Sequence, residues 1–124
     1  MSIETPEFRH ETAKKELKLK VEVFSATDPN TKEEQMAAEQ LINDIIFERF
    51  SFRVEREDWM PYLETIKIAG NLFAELLISR ERNGDMKLED ASYRLGLMID
   101  NGFIDPKKNP HVKVFMERKP SSYE

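Results

Sequence analysis

The sequence predicts an α+β domain, with about three helices packed on a small two- or three-stranded sheet in the order β-α-β-α-α-β. Two patterns carry that expectation. Three segments place apolar residues at every second position, and three others place them at i, i+3, i+4 and i+7. A length of 124 residues fits a single domain whose core needs no metal or disulfide staple. The alternative is a mostly helical bundle with short extended appendages.

Residues 1–13 mix Pro6 with polar groups and show no clear period, so a flexible N-terminal arm is expected there. The globular domain is expected over residues 14–119, with a tail over 120–124. Leu17, Leu19, Val21 and Val23 alternate with Lys18, Lys20 and Glu22, the mark of a half-buried strand. Good helix formers fill Glu11 to Lys20 and argue for a helix instead. Pattern is ranked above propensity, which favours the strand.

Ala26 to Asn30 reads as a turn, since Pro29 fixes φ while Asp28 and Asn30 bond the local backbone. Thr31 and Glu34 then have capping-box spacing. Ala38, Leu41, Ile42, Ile45 and Ile46 form one apolar helical face, and Glu39, Asp44 and Glu48 fall on the other.

Phe50, Phe52 and Val54 alternate with Ser51, Arg53 and Glu55 and suggest a second strand. Asp58 is a candidate N-cap for a long helix, with Pro61 tolerated in the first turn. An apolar stripe from Trp59 through Leu63, Ile66, Ala69, Phe73 and Leu77 runs to about Arg82. Tyr62, Ile68 and Ile78 lie off its centre line, which suggests a helix buried on two sides. Gly70, costly inside a helix, suggests close contact with another element.

Asn83-Gly84-Asp85 ends that helix, and Leu88, Ala91, Leu95, Met98 and Ile99 form the third helical stripe up to Asn101-Gly102. Asp105 to Pro110 reads as a rigid polar linker. Val112, Val114 and Met116 alternate with His111, Lys113, Phe115 and Glu117 and suggest a last strand.

Composition narrows the chemistry. The chain has no cysteine, so thiolate nucleophiles, disulfides and cysteine metal sites are excluded. Charges are scattered from Met1 to Lys20 with no apolar h-region, and no apolar run approaches the ~18 residues of a membrane span. A cytoplasmic protein with no membrane partner is expected. The net charge of −5 is uneven, with residues 31–105 at −7 and residues 106–124 at +3. The acidic centre disfavours nonspecific binding to phosphate backbones.

No catalytic motif emerges. There is no G-x-S-x-G and no phosphate-cradling glycine loop. His10 and His111 have no partner at metal-ligand spacing, and the Asp44/Glu48 pair has no E-x-x-H motif to complete a metal site. Ser79 to Asp90 departs from a calcium loop at its first and last ligand positions. Leu88 to Gly96 hints at a helix-turn-helix, but no basic recognition helix follows. No metal and no cofactor are expected.

The leading expectation is therefore a non-catalytic protein-binding module, a small regulator, adaptor or assembly factor, with a homodimer among its forms. Phe47, Phe52, Arg53, Arg56, Trp59 and Tyr62 form an aromatic and basic cluster that would serve as its site if it is not core. The second expectation is nucleic-acid binding through paired basic terminal strands. Lys18, Lys20, Lys107, Lys108 and Lys113 would form the stripe, and Phe115 would stack a base. An enzyme using carboxylates alone, with Glu89 and Asp90 as its acids, is the third.

Overall fold

The computed structural model describes residues 6–28, 31–46 and 55–118. Six helices account for the order seen there: α1 (Pro6–Ser25), α2 (Lys32–Ile46), α3 (Arg56–Trp59), α4 (Leu63–Arg82), α5 (Leu88–Asp100) and α6 (Pro110–Glu117), with a 3-10 turn over Met60–Tyr62 between α3 and α4. There is no strand among the described residues. The expected α+β architecture is overturned, and the helical-bundle alternative is the one observed.

Two of the expected strands are helices, for one shared reason. In α1 the buried residues are Ala13, Leu17, Val21 and Phe24, at i, i+4, i+8 and i+11. Leu17, Leu19, Val21 and Val23 are two interleaved i, i+4 pairs. Leu19 and Val23 sit about 200° round the helix from Leu17 and Val21, and they point outward. In α6, Val112 and Phe115 are buried at i and i+3, while Val114 is 62% exposed. Three or four apolar positions two apart fit both periods, and here helix propensity decided. The helix also begins at Pro6, inside the stretch expected to be an arm. The expected strand over Phe50 to Val54 lies outside the described residues.

The second helix forms as its pattern requires. The Thr31 hydroxyl accepts the Glu34 amide at 3.2 Å, and Ala38, Leu41, Ile42 and Ile45 turn inward. Helices α1 and α2 pack against each other and run antiparallel, since Lys20 meets Asp44 while Phe24 shares a groove with Ala37 and Leu41, and α2 lies along α4. Central α4 buries Ile66, Ala69, Gly70, Phe73, Ala74, Leu77 and Ile78, a face about 180° wide by helical geometry. It packs on α1, α2 and α5, which answers the two-sided burial read from its sequence. Of its off-centre residues, Ile78 is buried and Tyr62 partly so, but Ile68 is 55% exposed.

Pro61 supplies no amide donor, and the chain passes it in a 3-10 turn, so the expected long helix becomes α3, the turn and α4. Asp58 is not the N-cap of α3. Glu55 holds that place, and Asp58 accepts the Glu55 amide at 2.7 Å from the first turn. At the far end Gly84 takes φ +79°, and the Asp85 amide reaches back to the Arg80 carbonyl at 2.8 Å. Gly102 closes α5 in the same way, with φ +80° and the Phe103 amide on the Met98 carbonyl at 2.9 Å.

That turn delivers Phe103 and Ile104 into the core, and neither was anticipated from the sequence. Phe103 is fully buried, lies edge-on to Trp59 with ring centroids 4.8 Å apart, and sets its carbonyl against Gly70. A Cβ at Gly70 would stand 2.4 Å from that oxygen, so α4 and the α5–α6 connection meet only because the residue is glycine.

Candidate functional site

The sequence-predicted aromatic site does not form a docking surface in its described part. Trp59 is 6% exposed and belongs to the core. Tyr62 packs partly buried against the same cluster. Arg56 lies at the surface with its guanidinium 5.9 Å from the Trp59 ring centroid. Phe47, Phe52 and Arg53 lie outside the described residues.

The basic stripe loses its scaffold, because the terminal segments are helices and not paired strands. Phe115 is 3% exposed and cannot stack a base. Lys18 and Lys20 fall about 200° apart on α1. Lys18 is exposed, whereas Lys20 turns inward and places its Nζ 2.7 Å from Asp44 Oδ2. Lys107, Lys108 and Lys113 are exposed on the α5–α6 connection and on α6. Glu89 and Asp90 are exposed in the first turn of α5. No group of three or more histidine or acidic side chains among the described residues is placed to hold a metal ion. No helix among them is long and apolar enough to cross a membrane.

A different surface stands out. On α1, Leu19 is 60% and Val23 is 57% exposed, and on the first half of α2 Met36 is 67% exposed. Large apolar side chains left in water forgo burial free energy of about 1.5–3 kcal/mol each when fully covered. Leu19 and Val23 wall a groove of about 250 Å³ between α1 and α2 together with Phe24, Ala37 and Leu41, with Lys20 and Gln40 as its polar members, and Met36 lies in the adjoining depression on the α4 side of α2. The signal in the sequence was the second i, i+4 pair on α1, which a strand reading folds into a single face.

The Lys20–Asp44 pair lies under this groove. Asp44, expected on the polar face of α2, is 5% exposed and turns toward α1. Its Oδ2 is buried, and the lysine approaches outside hydrogen-bond angles, so the contact is an ion pair rather than a directed bond. It neutralises the one lysine of the groove. A shallower depression of about 870 Å³ continues over α2 past Met36 and Asn43 to Leu76 and Arg80 of α4. There Arg80 donates to Glu39 Oε1 at 3.3 Å and pairs by charge with Oε2 at 2.8 Å, and Arg94 donates to Asn43 at 3.3 Å. That depression mixes Met36, Ala37 and Leu76 with paired polar side chains, whereas the groove on the α1 side has only Lys20 and Gln40 as polar members.

A second polar cluster ties the start of α1 to α3. His10 Nε2 lies 2.8 Å from Asp58 Oδ2, the oxygen that also accepts the Glu55 amide. Burial raises the Asp58 pKa. The Glu55 amide, the His10 hydrogen bond and charge, and the Lys14 charge outweigh it, and the carboxyl ends below its ordinary value. The cluster fastens two elements distant in sequence.

Comparison with models of known families, with curated proteins and with solved structures finds no match to this chain.

Proposed function

We propose that this protein is a non-catalytic protein-binding module that docks its partner on the face formed by α1 and α2. The observation that carries this reading is the pair Leu19 and Val23, each more than half exposed on the wall of one apolar groove. Scaled by their exposure, covering the two is worth about 2–3.5 kcal/mol before association costs. A groove between antiparallel helices suits an amphipathic helix laid along it, with anchors at i, i+3 or i+4 and i+7. Trp59 contributes by fixing the core beneath α4, not by contact.

The test is a pair of charge insertions, Leu19→Glu and Val23→Glu, in the full chain. Both side chains face water, so circular dichroism and the melting temperature should stay near wild type, within about 0.5 kcal/mol of stability. Proteins that co-purify with the wild-type chain should be lost with both variants. Undiminished co-purification with folded variants would refute the assignment of this face.

A further inference from the structure

We propose that the recess between α4 and the α5–α6 connection binds a phosphate group, either as the free ion or as the head of a small phosphate monoester. The recess shares no residue with the α1–α2 groove and does not depend on that assignment. Its side chains, its construction and its size carry the proposal.

Lys67 and Asn71 line the recess from α4, one helical turn apart and so on one face. Lys108 and Asn109 line it from the connection. Unpaired lysines are common on this surface, but here two converge on a single concavity. Neither has an ion-pair partner among the described residues. Among those residues the only acidic side chain of the lining is Asp105, whose Oδ1 already accepts the Lys107 amide at 2.9 Å. The lining therefore sums to +1 in a chain of net charge −5. Exposed Lys107 and Lys113, on the same connection and on α6, strengthen the positive field. A planar carboxylate is matched best by the fork of a guanidinium, and no arginine lines the recess. Ammonium groups are compact point charges with rotatable donors, and two of them beside carboxamide donors suit a tetrahedral dianion.

The recess is built by the closest contact in the fold's interior. Gly70 lies between Lys67 and Asn71, and its missing Cβ lets the Phe103 backbone seat against α4. That contact fixes the connection beside the α4 donors. Phe103 and Ile104, both buried, supply the apolar floor. Beyond them the Lys108 amide donates to the Asp105 carbonyl at 3.1 Å and the Asn109 amide to the Pro106 carbonyl at 3.2 Å. Asn109 Nδ2 also donates to the Asp105 carbonyl, at 2.8 Å, and keeps a second hydrogen for a ligand. Backbone set in place before the ligand arrives loses little freedom on binding.

The volume is about 160 Å³, roughly half the lower end of the ~300–1,000 Å³ usual for sites that enclose a whole small molecule. Such a space takes a head group and leaves the remainder of a monoester in solvent.

Amide NMR titration of the full chain with inorganic phosphate, at constant ionic strength against chloride, tests the site. The expected result is saturable shifts at the Lys67, Asn71, Lys108 and Asn109 amides, with a dissociation constant of about 1–10 mM. Lys67→Gln and Lys108→Gln should each weaken binding about tenfold with circular dichroism unchanged. Lys108 is exposed, so its variant tests the site even if Lys67→Gln disturbs packing. Lys87→Gln, at an exposed lysine past the other end of α4, should bind as wild type does. Phenyl phosphate binding more tightly than phosphate supports a monoester head group, and the reverse order supports the free ion. Shifts reproduced by chloride, shifts still not saturating at about 50 mM, or an equal loss in Lys87→Gln overturn the proposal. An oligonucleotide that moves these amides with a steep salt dependence, where phosphate does not, overturns it too.

Discussion

Replacing Gly70 by alanine should destabilise the fold even though alanine is the better helix former. In an exposed helix the change would gain up to ~1 kcal/mol, because glycine gives up more backbone freedom on folding. Here the added Cβ would meet the Phe103 carbonyl oxygen at 2.4 Å and the carbonyl carbon at 3.2 Å. Carbon–oxygen contacts settle near ~3.3 Å, so the two segments must separate by about 1 Å. The obstacle is backbone, and that backbone carries Phe103 against Trp59, so no rotamer change relieves it. Overpacking of this kind costs about 1–3 kcal/mol at ordinary core sites and more where backbone must move. The net expectation is a loss of about 1–3 kcal/mol, or roughly 4–12 °C in melting temperature for a domain of this size. Urea unfolding of Gly70→Ala beside Gly96→Ala measures it. The nearest atom to a Cβ at Gly96 is the flexible end of Met116 at 3.9 Å, so that variant should be neutral or gain stability. A Gly70→Ala protein as stable as Gly96→Ala would refute the close approach of α4 to the Phe103 connection.

Three further outcomes follow from the same packing. Lys20→Met leaves Asp44 buried without its counter-charge and should cost about 2–3 kcal/mol, while Lys20→Met with Asp44→Leu should return to within about 1 kcal/mol of wild type by chemical denaturation. Trp59→Ala should cost about 3–5 kcal/mol in urea unfolding, as a core truncation does, whereas loss of partner binding with stability intact would mark Trp59 as a contact residue. Asp58→Ala removes the acceptor for the Glu55 amide and for His10, and should cost about 1–2 kcal/mol at neutral pH. The Asp58 pKa lies below its ordinary 3.8 in the folded chain, so its stabilisation is fully present above that value and fades as pH falls through the depressed one. The wild-type and Asp58→Ala stabilities should therefore converge in acid, and a gap that widens there would contradict the assignment.

Helices with an unambiguous period were legible from the sequence. For α2, α4 and α5, apolar residues three and four apart left no strand reading, and Gly84 and Gly102 marked where α4 and α5 end. The close contact read into Gly70 is present and involves Phe103. Helices α1 and α6 were misread because short runs of alternate apolar residues are also i, i+4 pairs. In α1 those pairs occupy two faces, and only a sequence with polar residues at 19 and 23 would have looked helical. That ambiguity also hid the candidate site. Leu19 and Val23 resemble core residues until Leu17 and Val21 are seen to fill the core alone. Asp44 was placed at the surface because nothing local reveals that Lys20, twenty-four residues earlier, turns to meet it. Long-range pairing of this kind depends on how α1 lies against α2, which periodicity does not encode.

The measurement that tests the docking face most directly is site-specific photocrosslinking, with a photoreactive phenylalanine analogue placed at Leu19, at Val23 and, as an exposed control on α4, at Ile68. All three sites are more than half exposed, so each tolerates the probe without disturbing the core. The account predicts discrete crosslinked adducts from Leu19 and Val23 in cells that express the protein, and none from Ile68. Adducts of equal yield from all three positions, or from Ile68 alone, would contradict it.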